Sequence, residues 1–499
     1  MKTFRKQILA AALTAAMCLG AFAGCSGTQT QSGTVTVGIT QEPGTFDPHA
    51  VVAAGDQEII FNIYEGLYKF DSTGTLQPAL ATDCQISDDA TEYKFTIRQG
   101  VKFHNGQEMT TDDVVYSLKR AAGMLGSQNG TPYVASFGDF KSVDADSDTV
   151  TVTLNTPNSE LLSYFTTGII PANYEDCAAA PIGTGPFVFE SYSVNQNVTL
   201  KANEDYWGDG PYIDSVVFKI CADLDAGLLE LQNGSIDIFP HMTKDRSDQL
   251  SSDAFEIKTN ASNMVQVFAL NNEVVPEEVR EAINYAINRQ DVISMSMDGA
   301  GVELTTAMSP AMGKYYDTSL DGTYTQDIEK AKDLLSQAGF ADGYDLTVTV
   351  PSSYLVHVNT AIELSAELKE VGINLTIEQV DWATWLSNVY TDRNYESTVI
   401  CITSDFAPYD VLERYTTDAS GNFINYSNSK VDELMAQIPL TTDEDAKVEL
   451  YHEVLALITE DNASCYIQDP TEITAVSTRL EGFEVYPMYV QDLSTVKIK

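Results

Sequence analysis

Residues 344–377, YDLTVTVPSSYLVHVNTAIELSAELKEVGINLTI, carry the patterns of a strand, a helix and a second strand in succession. Apolar residues alternate at 346–350 and again at 373–377, as in strands with one buried face. Between them, residues 358–371 form a helical stretch that ends at Gly372, a residue type common just past a helix C-terminus. A strand–helix–strand succession is typical of parallel sheets. The stretch therefore predicts an α/β fold with a partly parallel sheet.

The same two patterns recur along the rest of the chain. Alternation of period two predicts strands at 34–40, 92–98, 148–154 and 397–403. Capping residues and apolar stripes predict helices at 110–121, 276–293, 326–338 and 381–389. Ligands of α/β sheets lie at the carboxyl ends of strands. Ser404 and Asp405, which directly follow one predicted strand, are therefore candidate site residues.

The charge of the chain excludes several kinds of partner. Its 499 residues include 72 acidic and 28 basic side chains, so the formal net charge is −44. Such a protein is repelled by nucleic acid and by anionic lipid surfaces. Scattered acidic residues of this kind are typical of a secreted protein that its charge keeps soluble.

Catalytic and metal-binding motifs are missing from the sequence. Neither H-E-x-x-H, G-x-S-x-G nor a P-loop occurs. Five cysteines in the body of the chain lack C-x-x-C spacing: Cys84, Cys177, Cys221, Cys401 and Cys465. We expect a protein that is not an enzyme, with no cofactor, no metal site and at most two disulfides.

The N-terminal segment has the composition of an export signal followed by an anchor. Basic residues precede an apolar stretch that is too short for a convincing membrane span. Residues 22–25, FAGC, resemble a bacterial lipobox, in which the cysteine is lipidated and becomes the mature N-terminus. We expect a signal peptide at 1–24, lipidation of Cys25 and a flexible tether at 25–33. The alternative is secretion without an anchor.

Several short segments match one known family in the family's own order. They are EPGTFDP at 42–48, IYEGLY at 63–68, TEYKFTIRQGVKFHNGQEMTTDDVVYSLKR at 91–120, GTGPF at 183–187, NEDYWG at 203–208, VREAINYAINRQDVI at 279–293 and NYSN at 425–428. Each segment is weak alone, but the ordered set spans nearly the whole mature chain. It resembles bacterial extracellular solute-binding protein family 5, the large peptide-binding proteins of ABC importers, which include oligopeptide-, dipeptide- and nickel-binding members.

The resemblance implies a two-lobed α/β fold of the type II periplasmic-binding-protein class, which closes like a clamp about a two-stranded hinge. Lobe I would comprise residues 34–262 and 475–499, with an extra subdomain at about 60–182. Lobe II would comprise residues 263–474.

The resemblance also implies a ligand site between the lobes, where an extended peptide pairs with backbone strands. In relatives a buried Asp meets the α-ammonium group of the ligand, and Asp405 matches it here, with Asp410 as the alternative. The expected ligand-binding residues are Thr403, Ser404, Asp405, Phe406, Tyr409, Trp385, Ala53 and Ala54. Trp382 is expected to be a core anchor. Dipeptide-binding relatives carry an Arg at the start of the helix that ends before Gly372, and residues 357–361, HVNTA, contain none.

We therefore expect the extracellular solute-binding component of an ABC importer, which captures short peptides and delivers them to permease and ATPase subunits. It would act as a monomer on the outer face of the cytoplasmic membrane, attached through its lipid alone. The alternatives are a non-peptide solute such as an oligosaccharide, a peptide-sensing receptor and, less favoured, an extracellular hydrolase.

Overall fold

The computed structural model describes residues 33–51, 53–126, 130–403 and 406–499. The strands are β1 Thr34–Ile39, β2 Tyr68–Phe70, β3 Leu76–Pro78, β4 Ala81–Ile86, β5 Glu92–Ile97, β6 Phe140–Asp146, β7 Thr149–Leu154, β8 Phe187–Ser193, β9 Asn197–Ala202, β10 Ser215–Ile220, β11 Ile238–Phe239, β12 Phe255–Ala261, β13 Met264–Leu270, β14 Gly301–Glu303, β15 Tyr344–Pro351, β16 Ile373–Val380, β17 Ser397–Thr403, β18 Cys465–Ser477, β19 Leu480–Glu481 and β20 Lys497–Ile498. The α-helices are α1 Ala54–Ile60, α2 Thr111–Ala121, α3 Leu224–Gln232, α4 Lys244–Ser247, α5 Glu277–Ala286, α6 Arg289–Met297, α7 Ile328–Gln337, α8 Leu355–Glu370, α9 Trp382–Trp385, α10 Pro408–Glu413, α11 Ser429–Gln437 and α12 Glu444–Glu460.

The strand–helix–strand unit predicted from residues 344–377 is confirmed. Strands β15 and β16 pair in parallel over their whole length, and helix α8 connects them. Strand β15 also pairs in parallel with β17. Helix α8 begins at Leu355, three residues before the predicted start. Leu355 is exposed, so no buried apolar residue precedes Val358 to mark the first residues of the helix in the sequence.

One large sheet runs through both lobes of the described chain. Its order is β16-β15-β17-β13-β18-β11-β1-β10-β9-β8, and β12 and β14 pair with β18 beside this path. Strands β13 to β17 form one half of this sheet, within the range expected for lobe II, whereas β1 and β8 to β12 form the other half, within the range expected for lobe I. Strand β18 belongs to both, because residues 465–468 pair with β13 and residues 471–477 pair with β12.

The chain passes from β12 to β13 at residues 262–263, and β18 changes partner from β13 to β12 at about residues 469–470; we call these two places the crossings. Asp469 connects these two crossings through hydrogen bonds. Its Oδ1 accepts hydrogen bonds from the backbone N–H groups of Ser262, at 3.1 Å, and Met264, at 3.2 Å. Burial raises the pKa of Asp469 to about 6, although these hydrogen bonds oppose the shift.

Apolar burial on both faces of the sheet explains why β13 lacks polar alternation. Val265 and Val267 join one apolar cluster, and Phe268 and Leu270 join the other. Apart from Phe70 of β2, the buried residues of both clusters come from the range expected for lobe II, so β13 is a central strand with both faces covered.

The extra subdomain is built on a four-stranded antiparallel sheet, β4-β5-β7-β6, covered by helix α2. The helix begins with a capping box, in which the Asp113 carboxylate accepts the N–H of Thr110 at 2.8 Å. A loop of this subdomain reaches lobe II. There Glu160 forms an ion pair with Lys447 at 2.6 Å and accepts a hydrogen bond from the Tyr451 hydroxyl at 2.5 Å. Both charged side chains of this interlobe ion pair are at most 10% exposed.

The five body cysteines are free thiols in the structure. The two disulfides that the sequence left open therefore do not form. Among the described residues, no helix has the length and apolar character needed to cross a membrane. The predicted signal peptide, Cys25 and the tether up to residue 32 lie outside the described residues.

Lys447→Met tests how much the interlobe ion pair contributes to the free energy of unfolding. The change leaves Glu160 buried without its partner, and loss of one partner of a buried pair costs about 3–5 kcal/mol. Lys430→Met is the matched control, because Lys430 pairs with Glu453 at 3.7 Å and both side chains are about half exposed. An exposed pair contributes about 0–1 kcal/mol. Chemical denaturation should show a much larger loss for Lys447→Met, and equal losses would contradict the structural account.

Candidate functional site

The candidate site begins where the parallel strands of lobe II end. Strands β15, β16 and β17 reach the same edge of the sheet at Pro351, Val380 and Thr403. Thr403 is exposed and pairs with Met264, the first residue of lobe II after the crossing. Ser404 and Asp405, the central residues of the predicted site, lie outside the described residues. The strand end from which they continue thus stands directly beside the hinge.

Phe406 is held in place by the extra subdomain. Its φ of 55° lies in the left-handed region, which a bulky side chain rarely adopts. The ring is buried and packs against Phe70 of β2, with 5.0 Å between ring centroids. We infer that this contact stabilises a strained backbone conformation, which is a frequent feature of ligand-binding segments.

Helix α10 follows and carries two further candidates. Tyr409 is half-buried, and burial together with Glu413, Glu160 and Asp410 raises its pKa to about 12. Asp410, the alternative to Asp405, accepts a hydrogen bond from the Tyr164 hydroxyl of the extra subdomain. The segment that continues from β17 is therefore contacted from lobe I at both Phe406 and Asp410.

The burial of the two tryptophans of this lobe is the reverse of what the sequence predicted. Trp385 is 3% exposed, and its indole N–H donates to the Thr398 hydroxyl at 2.9 Å, so both ring faces are packed. Trp382, expected in the core, is 41% exposed and stacks on Trp385. The expectation of a core Trp382 is wrong, and the burial of Trp385 leaves it no open face. Helix α9 starts at Trp382, so this side chain lies on its exposed first turn.

The sequence analysis missed an aromatic partner of Trp382. Tyr354 follows the end of β15, is 45% exposed and lies 5.4 Å from Trp382, centroid to centroid. His357 lies 5.6 Å from Tyr354 on the same helix start. Burial lowers the pKa of His357 to about 4, so the imidazole is neutral at physiological pH. It therefore does not replace the positive charge of the missing Arg.

The lobe I wall is formed by helix α1 and residues far from it in sequence. Ala53 precedes the helix and is exposed, and Ala54 begins it and is half-buried. One turn later, Glu58 contacts His241, which also binds Glu472 through Nδ1 at 2.9 Å. These two carboxylates raise the pKa of His241 to about 10 in spite of its burial. No sequence pattern connects three residues so widely separated, which is why the acid–histidine–acid cluster was not predicted.

Tyr489 shows that this wall faces the strands of lobe II. Its ring packs against His241 with 5.1 Å between centroids. Burial, followed by the neighbouring Glu472, Glu58 and Cys401, raises the pKa of Tyr489. Cys401 lies in β17, two residues before Thr403, so the wall lies near this end of β17.

Comparison with known proteins agrees with this geometry. The family model of bacterial extracellular solute-binding proteins, family 5 Middle, matches residues 75–423. The chain belongs to this family. Two curated relatives of this family 5 protein match along most of their length. The oligopeptide-binding protein AppA of Bacillus subtilis is 26% identical over 93% of this chain and 91% of the relative. The dipeptide-binding protein of Escherichia coli is 25% identical over 88% of this chain and 89% of the relative.

Solved structures show the same two-lobed fold. HbpA2 from Haemophilus parasuis superposes with a TM-score of 0.85 at 23% identity, covering 93% of this chain and 100% of that one. CtaP from Listeria monocytogenes, an ABC transporter substrate-binding protein, superposes with a TM-score of 0.81 at 27% identity, covering 94% and 99%. The two-lobed α/β prediction is confirmed, and the matched relatives are binding proteins rather than enzymes.

His241→Gln in this family 5 protein should change the pH dependence of stability. The folded-state pKa of about 10 lies above the ordinary value of 6.5, so the charged imidazole stabilises the fold. That contribution is complete below pH 6.5 and is lost as the pH rises towards 10. Thermal unfolding should therefore separate wild type from His241→Gln at pH 6 and show little difference at pH 10. His452→Gln, at an exposed position, is the control. A gap that widens with pH would contradict this assignment.

Proposed function

We propose that this protein is the extracellular receptor of a peptide-importing ABC transporter, which encloses a peptide between its lobes and passes it unaltered to a membrane permease. One observation carries the proposal most directly. The end of β17 stands beside the hinge, and the segment that continues from it contacts lobe I at Phe406, so a ligand there touches both lobes at once. Relatives that match nearly the full chain are named as oligopeptide- and dipeptide-binding proteins.

The ligand's backbone would pair with the segment at 403–405 in the manner of an added strand, which is indifferent to side chains. In this proposal Asp405 receives the α-ammonium group, and Ser404 and Phe406 flank it. Ala53 and Ala54 close the site from lobe I. Tyr409 borders the same segment, whereas the open face of Trp382 takes the role first expected of Trp385.

The setting of the receptor follows from the same proposal. Residues 1–24 would be removed on export, Cys25 would carry the lipid, and 25–33 would tether the body to the outer face of the cytoplasmic membrane. Lobe I would comprise 34–262 with 475–499, and lobe II 263–474. The protein would act as a monomer with permease and ATPase partners.

A non-peptide solute is the second candidate. Relatives at similar identity include the heme-binding protein A of Haemophilus influenzae, 26% identical over 85% of this chain. AgaA in complex with agropinic acid also superposes, with a TM-score of 0.71 at 26% identity. The missing Arg and the neutral His357 favour this candidate, because they leave a peptide carboxylate without its usual partner on lobe II.

Mass spectrometry of the ligand that co-purifies with the protein is the first test of this function. We expect peptides released intact on denaturation, and calorimetry should then show saturable binding of the same peptides. Recovery of an oligosaccharide or another non-peptide solute would favour the second candidate. Conversion of the ligand during incubation would favour the hydrolase.

Asp405→Asn tests the ammonium contact. Loss of one partner of a desolvated charge pair costs about 3–5 kcal/mol, which corresponds to roughly a few hundred- to a few thousand-fold in affinity. Asp410→Asn is the alternative variant, and Asp418→Asn at an exposed position is the control. Calorimetry should show loss of peptide binding for Asp405→Asn alone. Loss for Asp410→Asn alone would move the contact to that residue, and unchanged affinity in both would refute it.

A further inference from the structure

A cavity of about 100 Å³ lies at one end of the proposed ligand segment, between helix α1, strand β2 and the C-terminal residues. It is lined by Gln57, Phe70 and Met488, among others. Phe70 packs against Phe406 of the ligand segment, and Gln57 lies three residues beyond Ala54 of the lobe I wall. All residues that line the cavity lie in the range of lobe I, and Phe70 connects it to the ligand segment through its contact with Phe406.

Lys69 lines this cavity and is half-buried. It has no ion-pair partner among the described residues, in a chain with 72 acidic and 28 basic side chains. A charged side chain that is partly removed from water gains from a partner of opposite charge, because burial of a charge without one is costly. The ammonium group of Lys69 therefore offers donors that the described protein leaves available.

The two carboxylates in the cavity are already engaged. Glu65 accepts hydrogen bonds from Trp207 at 2.7 Å and from Thr184 and Tyr206 at 2.9 Å. Asp492 accepts from the Tyr486 hydroxyl at 3.0 Å, and its other oxygen accepts from the N–H and the hydroxyl of Ser494. Glu65 is close enough to feel the charge of Lys69, but the two form no ion pair. An incoming anion is therefore the missing partner.

We propose that Lys69 binds a carboxylate of the ligand, which is the C-terminal carboxylate when the ligand is a peptide. This inference rests on the proposed function and names the group that fixes one end of the solute. A cavity of this size has room for several water molecules or for one carboxylate group. A lysine suits the position because its compact charge and three rotatable donors accept an anion from several directions.

The position also explains how the protein manages without an Arg at the start of helix α8. The missing charge would come from the extra subdomain, across the cleft from the neutral His357. Lys69 and Phe70 are neighbours in β2, so the strand that packs on the ligand segment also carries the carboxylate-binding residue.

The test compares pairs of peptides that share a sequence and end in a free carboxylate or an amide. Calorimetry is run on wild type, Lys69→Met, Lys69→Arg and the control Lys94→Met, an exposed lysine of the same subdomain. Hydrogen bonds to charged groups are worth roughly ten- to a hundredfold in affinity. Wild type, Lys69→Arg and Lys94→Met should prefer the free acid by about that factor. Lys69→Met should bind both peptides equally.

A third peptide, amidated but ending in Glu, separates the two sources of a carboxylate. Recovery of Lys69-dependent binding with this peptide would place a side-chain carboxylate in the cavity. Equal binding of acid and amide by wild type, or an unchanged preference in folded Lys69→Met, overturns the inference and leaves peptide capture intact. If no peptide binds wild type, the proposed function itself fails, and this inference with it. Lys69→Gln replaces Lys69→Met if that variant does not fold, as judged by circular dichroism.

Discussion

The structure depends on the sharing of strand β18 between the two lobes. Its first residues complete the lobe II sheet against β13, and its last residues complete the lobe I sheet against β12. Asp469 sits between these halves and binds the backbone of the second crossing at Ser262 and Met264. Any relative motion of the lobes must therefore turn about one small, hydrogen-bonded region. The carboxyl end of β17 lies beside this region, so a ligand bound there is close to the axis of closure.

The extra subdomain adds a second constraint at a distance from the hinge. It contacts lobe II through the interlobe ion pair of Glu160 and Lys447, and it touches the ligand segment at Phe406 and Asp410. Opening of the cleft must expose or displace these contacts. These contacts lie on the same segment that we propose receives the ligand, so a ligand bound there would act on them. Lys69 lies in β2, the strand whose Phe70 contacts Phe406.

Local patterns predicted the fold well. Residues 344–377 showed the parallel unit because their alternation and helical periodicity persist over many residues, and the family segments supplied the two lobes. Local patterns failed where burial is decided by distant residues. Trp382 and Trp385 differ by three positions, and only the packing of helix α9 determines which ring is covered. The cluster of Glu58, His241 and Glu472 joins three remote parts of the chain, so no spacing could reveal it.

The carboxylate-binding role that we propose for Lys69 likewise could not be predicted from local sequence patterns. The sequence shows that an Arg is missing at residues 357–361, but it does not show which other cation faces the cleft. The structure identifies this cation through the hydrogen bonds of Glu65 and Asp492. Both carboxylates are bound to other side chains, so Lys69 has no counter-ion among the described residues. The proposed anion site at Lys69 is thus identified by the hydrogen bonds that already occupy the two neighbouring carboxylates.

The most direct measurement of the central claim is small-angle X-ray scattering of the protein, first stripped of ligand and then saturated with a peptide identified by co-purification. The account predicts a smaller radius of gyration in the saturated protein, and mass spectrometry of the same sample should recover the peptide intact. Superimposable scattering profiles at full occupancy, or a chemically altered peptide, would contradict a hinged receptor that closes on its solute and releases it unchanged.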